Sequence, residues 1–504
     1  MTVQQRTASA IPRSASRKSD AKTGAIRRAI ADLRREYVQR AGEDPQARMA
    51  PIRTMARMIS SVEAECRARG YPEAVVRAEV VNRSIGDVNL RYVVEHDAIY
   101  DYRTLADELG VALPGEEIGG VAATGERYRA LRERMMEIER DLLARGYDVH
   151  MYDLAGTGNP LLREWICADQ ETIWGLHFTP AQVLVANGSL DTLDKVMRGL
   201  RMSRWAGPEK TYAVIFPAPG FNVPEWQAQS LGLTLLRVRT TSESGYRLTA
   251  EQLRETLKEH PEVRGVYLTL SNNPTAFSYS PEELRSLLDV VAEHPDVLVL
   301  ADMAYTGTGD LAKEQARLRA FSESSALSQS IFFWSLSKVY TMTGDRFGYA
   351  CVGDPALAPL LGISWVNGIA SLPAEWQLRF TAFYEFLRQH SELRQKIGAL
   401  YALRRRAFVR QLEDIDAAQH LFAQVNADDG GTVYNWSQLG EGENVFTFFE
   451  KTGIGGVPGS AFGYSDDHVR FSIGIVPVPG WERVVAEDPG TPPLVHGSGN
   501  GQKS

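Results

Sequence analysis

The chain has 504 residues and a mass of 55.9 kDa, and 44% of its residues are hydrophobic and 23% are charged. It is too apolar to be a disordered chain, and it is long enough for two or three hydrophobic cores. Lys and Arg total 55 against 63 Asp and Glu, which leaves a net charge of −8. This balance argues against binding to nucleic acid or to an anionic membrane surface.

The three cysteines, Cys66, Cys167 and Cys351, lie far apart and outside any CxxC spacing. This pattern favours a reducing compartment and argues against disulfide or zinc frameworks. No apolar run reaches the roughly 18 residues of a membrane helix, and the N-terminal segment lacks the apolar part of a secretory signal. We therefore expect a cytoplasmic protein without a metal site. The basic, Ser-rich N-terminus leaves an organellar transit peptide as an alternative.

Both ends of the chain, residues 1–24 and 488–504, carry Ser, Gly, Pro and charge without periodicity, which predicts disordered tails. Between Ala25 and Gly70 the apolar residues recur at helical spacing. This spacing predicts amphipathic helices in an N-terminal region, residues 25–150, that also supplies a segment of a small domain.

The middle of the chain, residues 151–362, alternates apolar runs of strand length with helical stretches. The runs are AQVLVANG, TYAVIFP, LTLLRVR, VRGVYLTLS, DVLVLAD, SIFFWSLS and FGYACVG. Such alternation is typical of a mainly parallel sheet covered on both faces, so we predict a three-layer αβα sandwich. Residues 363–487 contain a long helical stretch and the strand-like segments TVYNWSQL and HVRFSIGI, which predicts a smaller α+β C-terminal domain.

Polar or aromatic groups follow most of the predicted strands, and ligands bind beyond the carboxyl ends of strands in such sheets. These groups are Gly188-Ser189-Leu190, Phe221, Asn273, Asp302 with Tyr305, and Ser335-Leu336-Ser337-Lys338, with Arg346 eight positions after the lysine. Singly they are ambiguous, because a strand-end Asp often caps a helix and a lone Lys is usually solvated. A lysine that directly follows an apolar strand is nevertheless well placed to form a Schiff base with a carbonyl compound.

The segment SLSK followed by GDRFGY resembles the fold-type I pyridoxal-phosphate enzymes, specifically the class I and II aminotransferase family. The resemblance implies that pyridoxal 5′-phosphate is joined to Lys338 and that this lysine also moves the proton at the substrate Cα. It implies that Asp302 pairs with the protonated pyridine nitrogen, which keeps the ring an electron sink. Tyr305 and Asn273 would donate to the phenolic oxygen, and Phe221 would stack on the ring.

The resemblance also implies binding sites for the cofactor phosphate and for the substrate. The phosphate would be met by the backbone of Gly188-Ser189-Leu190, the hydroxyls of Ser335 and Ser337 and the guanidinium of Arg346. Arg470 fits the family's arginine for the carboxylate of a small amino substrate. Tyr152 fits, one residue out of register, the tyrosine that reaches in from a partner subunit. The resemblance therefore implies a homodimer with a composite active site.

The chain departs from the family pattern in three respects. The usual Asn-Pro-Thr-Gly is Asn273-Pro274-Thr275-Ala276, and an N-terminal extension precedes the family's usual start. The glycine usual at the start of the substrate cleft is not evident in GDVNLRYV, where Arg91 is a candidate for binding an acidic group of a larger substrate.

Three segments, PGF, YTGT and SLSK, are similar to aminocyclopropane-carboxylate synthase. They imply an alternative chemistry in specialised metabolism, namely γ-elimination, γ-replacement or ring-forming carbon–carbon bond formation on S-adenosylmethionine. We expect an aminotransferase acting on an amino acid or an amino-acid-derived substrate, with this lyase-type chemistry as the alternative. A non-catalytic regulator or scaffold of the same fold is a third possibility, which the joint presence of Lys338, Asp302 and Asn273 disfavours.

Overall fold

The computed structural model describes residues 13–43, 51–86, 88, 121–150, 152–153, 156–206, 212–340, 342–389, 393–427 and 431–476. The helices in these ranges are α1 (Arg13–Glu43), α2 (Pro51–Ala68), α3 (Glu73–Glu79), α4 (Val121–Ala144), α5 (Pro160–Asp169), α6 (Ser189–Met202), α7 (Val223–Ser230), α8 (Ala250–Glu259), α9 (Pro281–Ala292), α10 (Leu311–Ser322), α11 (Leu357–Ile369), α12 (Ala374–Gln389), α13 (Leu393–Gln419) and α14 (Val445–Thr452). The strands are β1 (Val81–Asn82), β2 (Val183–Ala186), β3 (Ala213–Ala218), β4 (Thr234–Arg239), β5 (Val263–Thr269), β6 (Leu298–Asp302), β7 (Ser330–Ser335), β8 (Gly348–Val352), β9 (Phe422–Gln424), β10 (Tyr434–Leu439), β11 (Ile454–Gly455), β12 (Val457–Pro458) and β13 (His468–Ser472).

A seven-stranded sheet lies at the centre of the larger part of the molecule, in the order β2-β8-β7-β6-β5-β3-β4. Strand β8 runs antiparallel to both of its neighbours, and the other neighbouring strands are parallel. These seven strands correspond to the seven apolar runs of the sequence. The predicted mainly parallel sheet is confirmed.

Alternate residues of the strands face two different cores, because side chains in a strand point to opposite faces. On one face, Leu298 and Leu300 of β6 pack in a core shared with α6 and α11. On the other face, Val299 and Ala301 pack in a core shared with α8, α9 and α10. The sheet therefore lies between two helical layers, which confirms the three-layer sandwich.

Helix α9 begins with a capping box at Ser280. The Ser280 hydroxyl accepts from the Glu283 amide at 3.1 Å, and the Glu283 carboxylate accepts from the Ser280 amide at 2.7 Å. These bonds satisfy two backbone donors that a helix start leaves unpaired, so the local sequence is sufficient to place this boundary.

The N-terminal helices pack on the small C-terminal part of the molecule. Its four-stranded sheet is antiparallel, in the order β12-β13-β10-β9, and β1 pairs with β11. Helix α1 contacts α14, and α2 contacts β12 and β11. A Cβ atom on Gly455 of β11 would lie 2.1 Å from Ile59 Cδ1 of α2, which shows how closely the two elements approach. The N-terminal extension thus leads through β1 directly to Ser84 and Gly86.

Two predicted boundaries differ from the structure. Helix α1 begins at Arg13, so residues 13–24, predicted as part of a disordered tail, are helical. Arg, Ala and Lys in this segment are good helix formers, and they extend the amphipathic helix that follows. The predicted domain boundary at residue 362 falls inside α11, which packs on α6. Helix α6 belongs to the large layer, by which we mean the whole part of the molecule built around the seven-stranded sheet. None of the described helices combines the length and the apolar character needed to cross a membrane.

Candidate active site

A cleft of about 550 Å³ lies at the carboxyl ends of the parallel strands. Its walls include eleven of the predicted site residues: Ser189, Leu190, Phe221, Asn273, Asp302, Tyr305, Ser335, Ser337, Lys338, Arg346 and Arg470. They come from the large layer, except for Arg470, which lies on β13 of the small sheet. The structure therefore brings together groups that are spread over 282 positions of the chain, from Ser189 to Arg470.

The Lys338 amine faces the cleft. Its Nζ donates to the backbone oxygen of Gly86 at 2.5 Å, and the Tyr401 hydroxyl donates to the backbone oxygen of Lys338 at 3.0 Å. The side chain is only partly buried, because it follows the end of β7 and points into the cleft. An amine in this position is accessible to a carbonyl compound bound there.

Asp302 is the last residue of β6 and supplies a carboxylate to the floor of the cleft. Its Oδ1 accepts from the Ala304 amide at 2.9 Å, and its Oδ2 accepts from the Tyr267 hydroxyl. Burial raises the pKa of Asp302 above its ordinary value, while the two donors act in the opposite direction. The carboxylate is thus held in one orientation next to the cavity.

Tyr305 points its hydroxyl toward the small sheet, where it donates to the Tyr434 hydroxyl at 3.2 Å. Burial raises the pKa of Tyr305 well above its ordinary value, so the phenol keeps its proton and remains a hydrogen-bond donor. Tyr434 lines the cleft but was not predicted from the sequence. The segment TVYNWSQL indicated a strand, but nothing local distinguishes a tyrosine that faces a cleft from one that fills a core.

The start of α6 and the loop after β7 form a cradle suited to an anion. Gly188 precedes α6 with φ +91°, a backbone conformation that favours glycine, and a Cβ atom there would lie 2.7 Å from Arg346 Nη2. Arg346 Nη1 donates to the Thr343 oxygen at 3.0 Å, and Ser335 Oγ accepts from the Ser337 amide at 3.2 Å. A helix N-terminus, two hydroxyls and a guanidinium therefore meet at one place.

Arg470 faces the cleft rather than the surface, and only 4% of the residue is exposed. Its Nη2 donates to the Ser84 oxygen at 2.6 Å and its Nη1 to Asn273 Oδ1 at 3.2 Å, while its buried Nε has no hydrogen-bond partner. Its guanidinium carbon lies 4.3 Å from the centre of the Tyr434 ring. Among the described residues no carboxylate forms an ion pair with it, so its charge is available to an acidic ligand.

Four further features of the sequence concern the substrate cleft. Gly86, the first residue of GDVNLRYV, lies against Tyr434, since a Cβ atom on it would overlap the Tyr434 hydroxyl. Ala276, which replaces the usual glycine of Asn-Pro-Thr-Gly, adopts a left-handed conformation with φ +64°. Tyr152 is 76% exposed and lines a separate groove of about 660 Å³ with Tyr147, so it does not line the cleft of its own chain. Arg91 lies outside the described residues.

The fold is shared with solved aminotransferases. Aspartate aminotransferase from Thermus thermophilus with maleate has a TM-score of 0.61 at 19% identity, covering 90% of this chain and 98% of that chain. The aspartate aminotransferase from Rhizobium meliloti has a TM-score of 0.59 at 20% identity, covering 84% of this chain and 92% of that chain. The architecture is therefore that of the fold-type I pyridoxal-phosphate enzymes.

Sequence comparison gives the family. Aspartate aminotransferase from Pinus pinaster is 25% identical over 396 residues, which are 74% of each chain. Aspartate/prephenate aminotransferase from Cereibacter sphaeroides is 27% identical over 323 residues, 61% of this chain and 76% of the relative. Residues 157–440 match the profile of the family "Aminotransferase class I and II". The chain belongs to this family, and it is a transferase that depends on pyridoxal 5′-phosphate.

The donor set of the cleft fits this cofactor. An amine, a half-buried carboxylate, an anion cradle and an aromatic ring, Phe221, surround one cavity of sufficient size. Within the part of the chain that the structure describes, no group of His, Cys, Asp and Glu side chains is arranged to hold a metal ion.

A buried carboxylate, Glu314 of α10, holds the turn that carries Tyr305. Its Oε2 accepts from the Gly307 amide at 2.7 Å and its Oε1 from the Gly309 amide at 3.1 Å. Burial raises the pKa of Glu314 to about 7, although Arg317 and the two amides oppose this shift. The residue is 2% exposed, so solvent hardly screens the effect.

We expect the stabilising contribution of Glu314 to decrease as the pH rises. The pKa of Glu314 is about 7 in the folded state, against an ordinary pKa of 4.5 in the unfolded state. The contribution of Glu314 to the free energy of unfolding is therefore fully present below pH 4.5 and is lost as the pH rises through 7. Relative to Glu314→Gln, the free energy of unfolding of the wild type should fall by on the order of 2 kcal/mol between about pH 5 and pH 8, as measured by urea unfolding. The exposed Glu323→Gln variant serves as the control. If the free energy of unfolding changed with pH in the same way in the wild type and in Glu314→Gln, this expectation would be contradicted.

Proposed function

We propose that this enzyme catalyses transamination of an amino acid or an amino-acid-derived substrate. The observation that carries the proposal is the meeting of the Lys338 amine, the Asp302 carboxylate and the Arg470 guanidinium in one cleft. These groups cover the three tasks of the reaction, which are attachment of the cofactor, control of its ring and binding of the substrate carboxylate.

When bound, pyridoxal 5′-phosphate supplies the electron sink that stabilises negative charge at the substrate Cα. We assign to Lys338 Nζ the covalent attachment of the cofactor and the movement of the Cα proton. Asp302 keeps the ring nitrogen protonated by placing a carboxylate beside it. Asn273 would orient the cofactor by donating its amide N–H to the phenolic oxygen. Tyr305 would donate to the same oxygen once its single proton turns from the Tyr434 hydroxyl to the cofactor.

We assign the remaining cofactor contacts to groups that line the cleft or lie at the start of α6. Phe221 offers a ring face for offset stacking. The cradle of Gly188, Ser189, Leu190, Ser335, Ser337 and Arg346 binds the phosphate. Because the cradle lies at the start of α6, the phosphate end of the cofactor is anchored to the large layer.

Arg470 binds the carboxylate of the amino substrate. Its guanidinium has a planar set of donors that matches a carboxylate, and its Nε lacks a partner in the described chain. The oxygens of Ser84 and Asn273 accept hydrogen bonds from Arg470 and hold its guanidinium in one orientation in the cleft wall. A carboxylate ligand would therefore meet an already oriented cation.

We also propose that two copies of the chain form a homodimer in the cytoplasm. Four apolar side chains on α11 are exposed at steps of three residues, so they form one strip on the helix surface: Leu360, Ile363, Val366 and Ile369. A continuous exposed apolar strip is typical of an interaction surface. The exposed Tyr152 is available to the cleft of a partner copy. The three cysteines are free and buried, as expected for a reducing compartment.

The comparisons lend no support to the alternative chemistry on S-adenosylmethionine. The two reactions differ in their products, so one experiment separates them. Transamination converts an amino acid into a 2-oxo acid, whereas the alternative releases methylthioadenosine.

The first prediction concerns Lys338. Borohydride should fix the cofactor on Lys338, as mapped by mass spectrometry of peptides, and the enzyme should form a 2-oxo acid from an amino acid. Lys338→Ala should abolish the label and lower the rate by about a thousandfold, because both attachment and proton transfer are lost. Lys313→Ala, on the exposed face of α10, is the matched control. A label elsewhere, or release of methylthioadenosine from S-adenosylmethionine, would refute the proposal.

The second prediction concerns Arg470. Arg470→Lys should raise KM for the amino substrate by about thirtyfold to a hundredfold, because a point charge replaces a planar set of donors. The absorbance of the bound cofactor should stay as in the wild type. Arg254→Lys, at an exposed arginine, should leave KM unchanged. An unchanged KM in Arg470→Lys would remove this residue from substrate binding.

The third prediction concerns the exposed strip on α11. Ile363→Glu should raise the dissociation constant of the dimer by about a hundredfold, because it buries an unpaired charge at an apolar contact. Sedimentation velocity at several concentrations measures this change. Lys258→Glu, on α8 at the opposite face of the sandwich, is the control. A monomeric wild type, or an Ile363→Glu protein that dimerises like the wild type, would contradict the expectation.

A further inference from the structure

A buried tyrosine of β5 reaches the carboxylate of Asp302 from the neighbouring strand. Strands β5 and β6 are parallel, with Thr269 opposite Asp302 and Tyr267 opposite Leu300. Since side chains alternate between the two faces, Tyr267 and Thr269 lie on the same face of β5. The long Tyr267 side chain crosses diagonally to β6, and its hydroxyl donates to Asp302 Oδ2.

The Tyr267 ring is buried and packs against an aromatic neighbour on β3. The residue is 4% exposed and belongs to the core between the sheet and helices α6 and α11. Its ring lies 5.5 Å from that of Phe216 on β3, at an interplanar angle of 37°. β5 and β6 are adjacent strands of the sheet, and the Tyr267 hydroxyl points toward Asp302, its hydrogen-bond acceptor.

The contact determines how the carboxylate is oriented. The torsion that turns an aspartate carboxylate has broad minima, so packing alone does not fix its plane. Here Oδ1 is held by the Ala304 amide at 2.9 Å, and Oδ2 is held by Tyr267. Each oxygen keeps a further lone pair, and Asp302 lines the cleft. The two donors thus fix the plane of the carboxylate, and its remaining lone pairs can accept from a ligand in the cleft.

The same contact favours the charged form of the carboxylate. A hydrogen bond to a charged oxygen stabilises that charge, whereas burial opposes it. Burial raises the pKa of Asp302, and the groups that lower it are the Tyr267 hydroxyl and the Ala304 amide. Tyr267 is therefore the one side chain in the described structure that is seen to support the charge of Asp302.

We infer that Tyr267 is a positioning residue that holds Asp302 charged and turned toward the ring nitrogen of the cofactor. The inference rests on the role proposed for Asp302 above and extends it to a residue that never touches the cofactor. Tyr267 acts through Asp302 alone, so its effect should vanish when Asp302 is absent.

The test uses Tyr267→Phe, which keeps the ring and removes only the hydroxyl. We expect the dissociation constant for pyridoxal 5′-phosphate to rise about tenfold, because a hydrogen bond to a charged group is lost. The ¹⁵N NMR signal of the ring nitrogen in labelled cofactor should move toward the unprotonated position. This signal reports the state of the nitrogen independently of turnover.

The matched control is Tyr279→Phe. Tyr279 is another buried tyrosine, and its hydroxyl accepts from the Leu248 amide at 3.1 Å instead of bonding to Asp302. Its loss should lower the thermal midpoint by a similar amount, without changing the ¹⁵N signal or the cofactor affinity. An equal change of the ¹⁵N signal in both variants would show a general loosening of the core and overturn the inference.

A double-mutant cycle with Asp302→Ala separates the two proposals. In the Asp302→Ala background, Tyr267→Phe should change the cofactor affinity by less than about twofold. A full tenfold effect in that background would mean that Tyr267 acts through packing, and the inference would be wrong. If Asp302→Ala itself leaves the affinity and the ¹⁵N signal unchanged, the proposed site fails. If Asp302→Ala changes both and Tyr267→Phe changes neither, only the inference on Tyr267 fails.

Discussion

The arrangement of the cleft depends on a half-buried carboxylate, Asp302, at the end of a strand. A carboxylate removed from water is costly unless donors surround it, and Asp302 has two of them, the Ala304 amide and the Tyr267 hydroxyl. Both lie behind it, on β5 and in the turn after β6. Asp302 also lines the cleft, so the cationic ring nitrogen proposed above to pair with it would approach from that side.

The opposite wall of the cleft is built by parts of the chain that are far apart in sequence. Strand β1 pairs with β11, and the Ser472 amide donates to the Arg83 oxygen. The N-terminal extension and the small sheet are thereby joined, and they present Ser84, Gly86 and Arg470 on one surface. The Gly86 oxygen accepts from Lys338 and the Ser84 oxygen from Arg470, so backbone oxygens of this wall contact two of the three cationic groups of the site.

Much of the large layer could be predicted from local patterns. Each of the seven strands is an apolar run of the right length, and parallel strands end at the same edge of the sheet, so residues such as Asp302 and Lys338 had to lie near each other. The start of α1 was misplaced because the Ser- and Lys-containing segment after Arg13 has no apolar periodicity. This segment is helical because its residues have high helix propensity and because it continues directly into the part of α1 that packs on the protein.

The sequence by itself determined the residues at the strand ends, because the ends of strands and the groups after them are local properties. Only the tertiary structure decided that Tyr267 reaches Asp302, that Tyr434 meets Tyr305 and that Gly86 lies against Tyr434. These contacts depend on the register between strands and on the docking of the small sheet against the large one. Neither can be read from a single segment of the sequence, because a shift of one residue in strand register would turn Tyr267 or Tyr434 to the other face of its sheet.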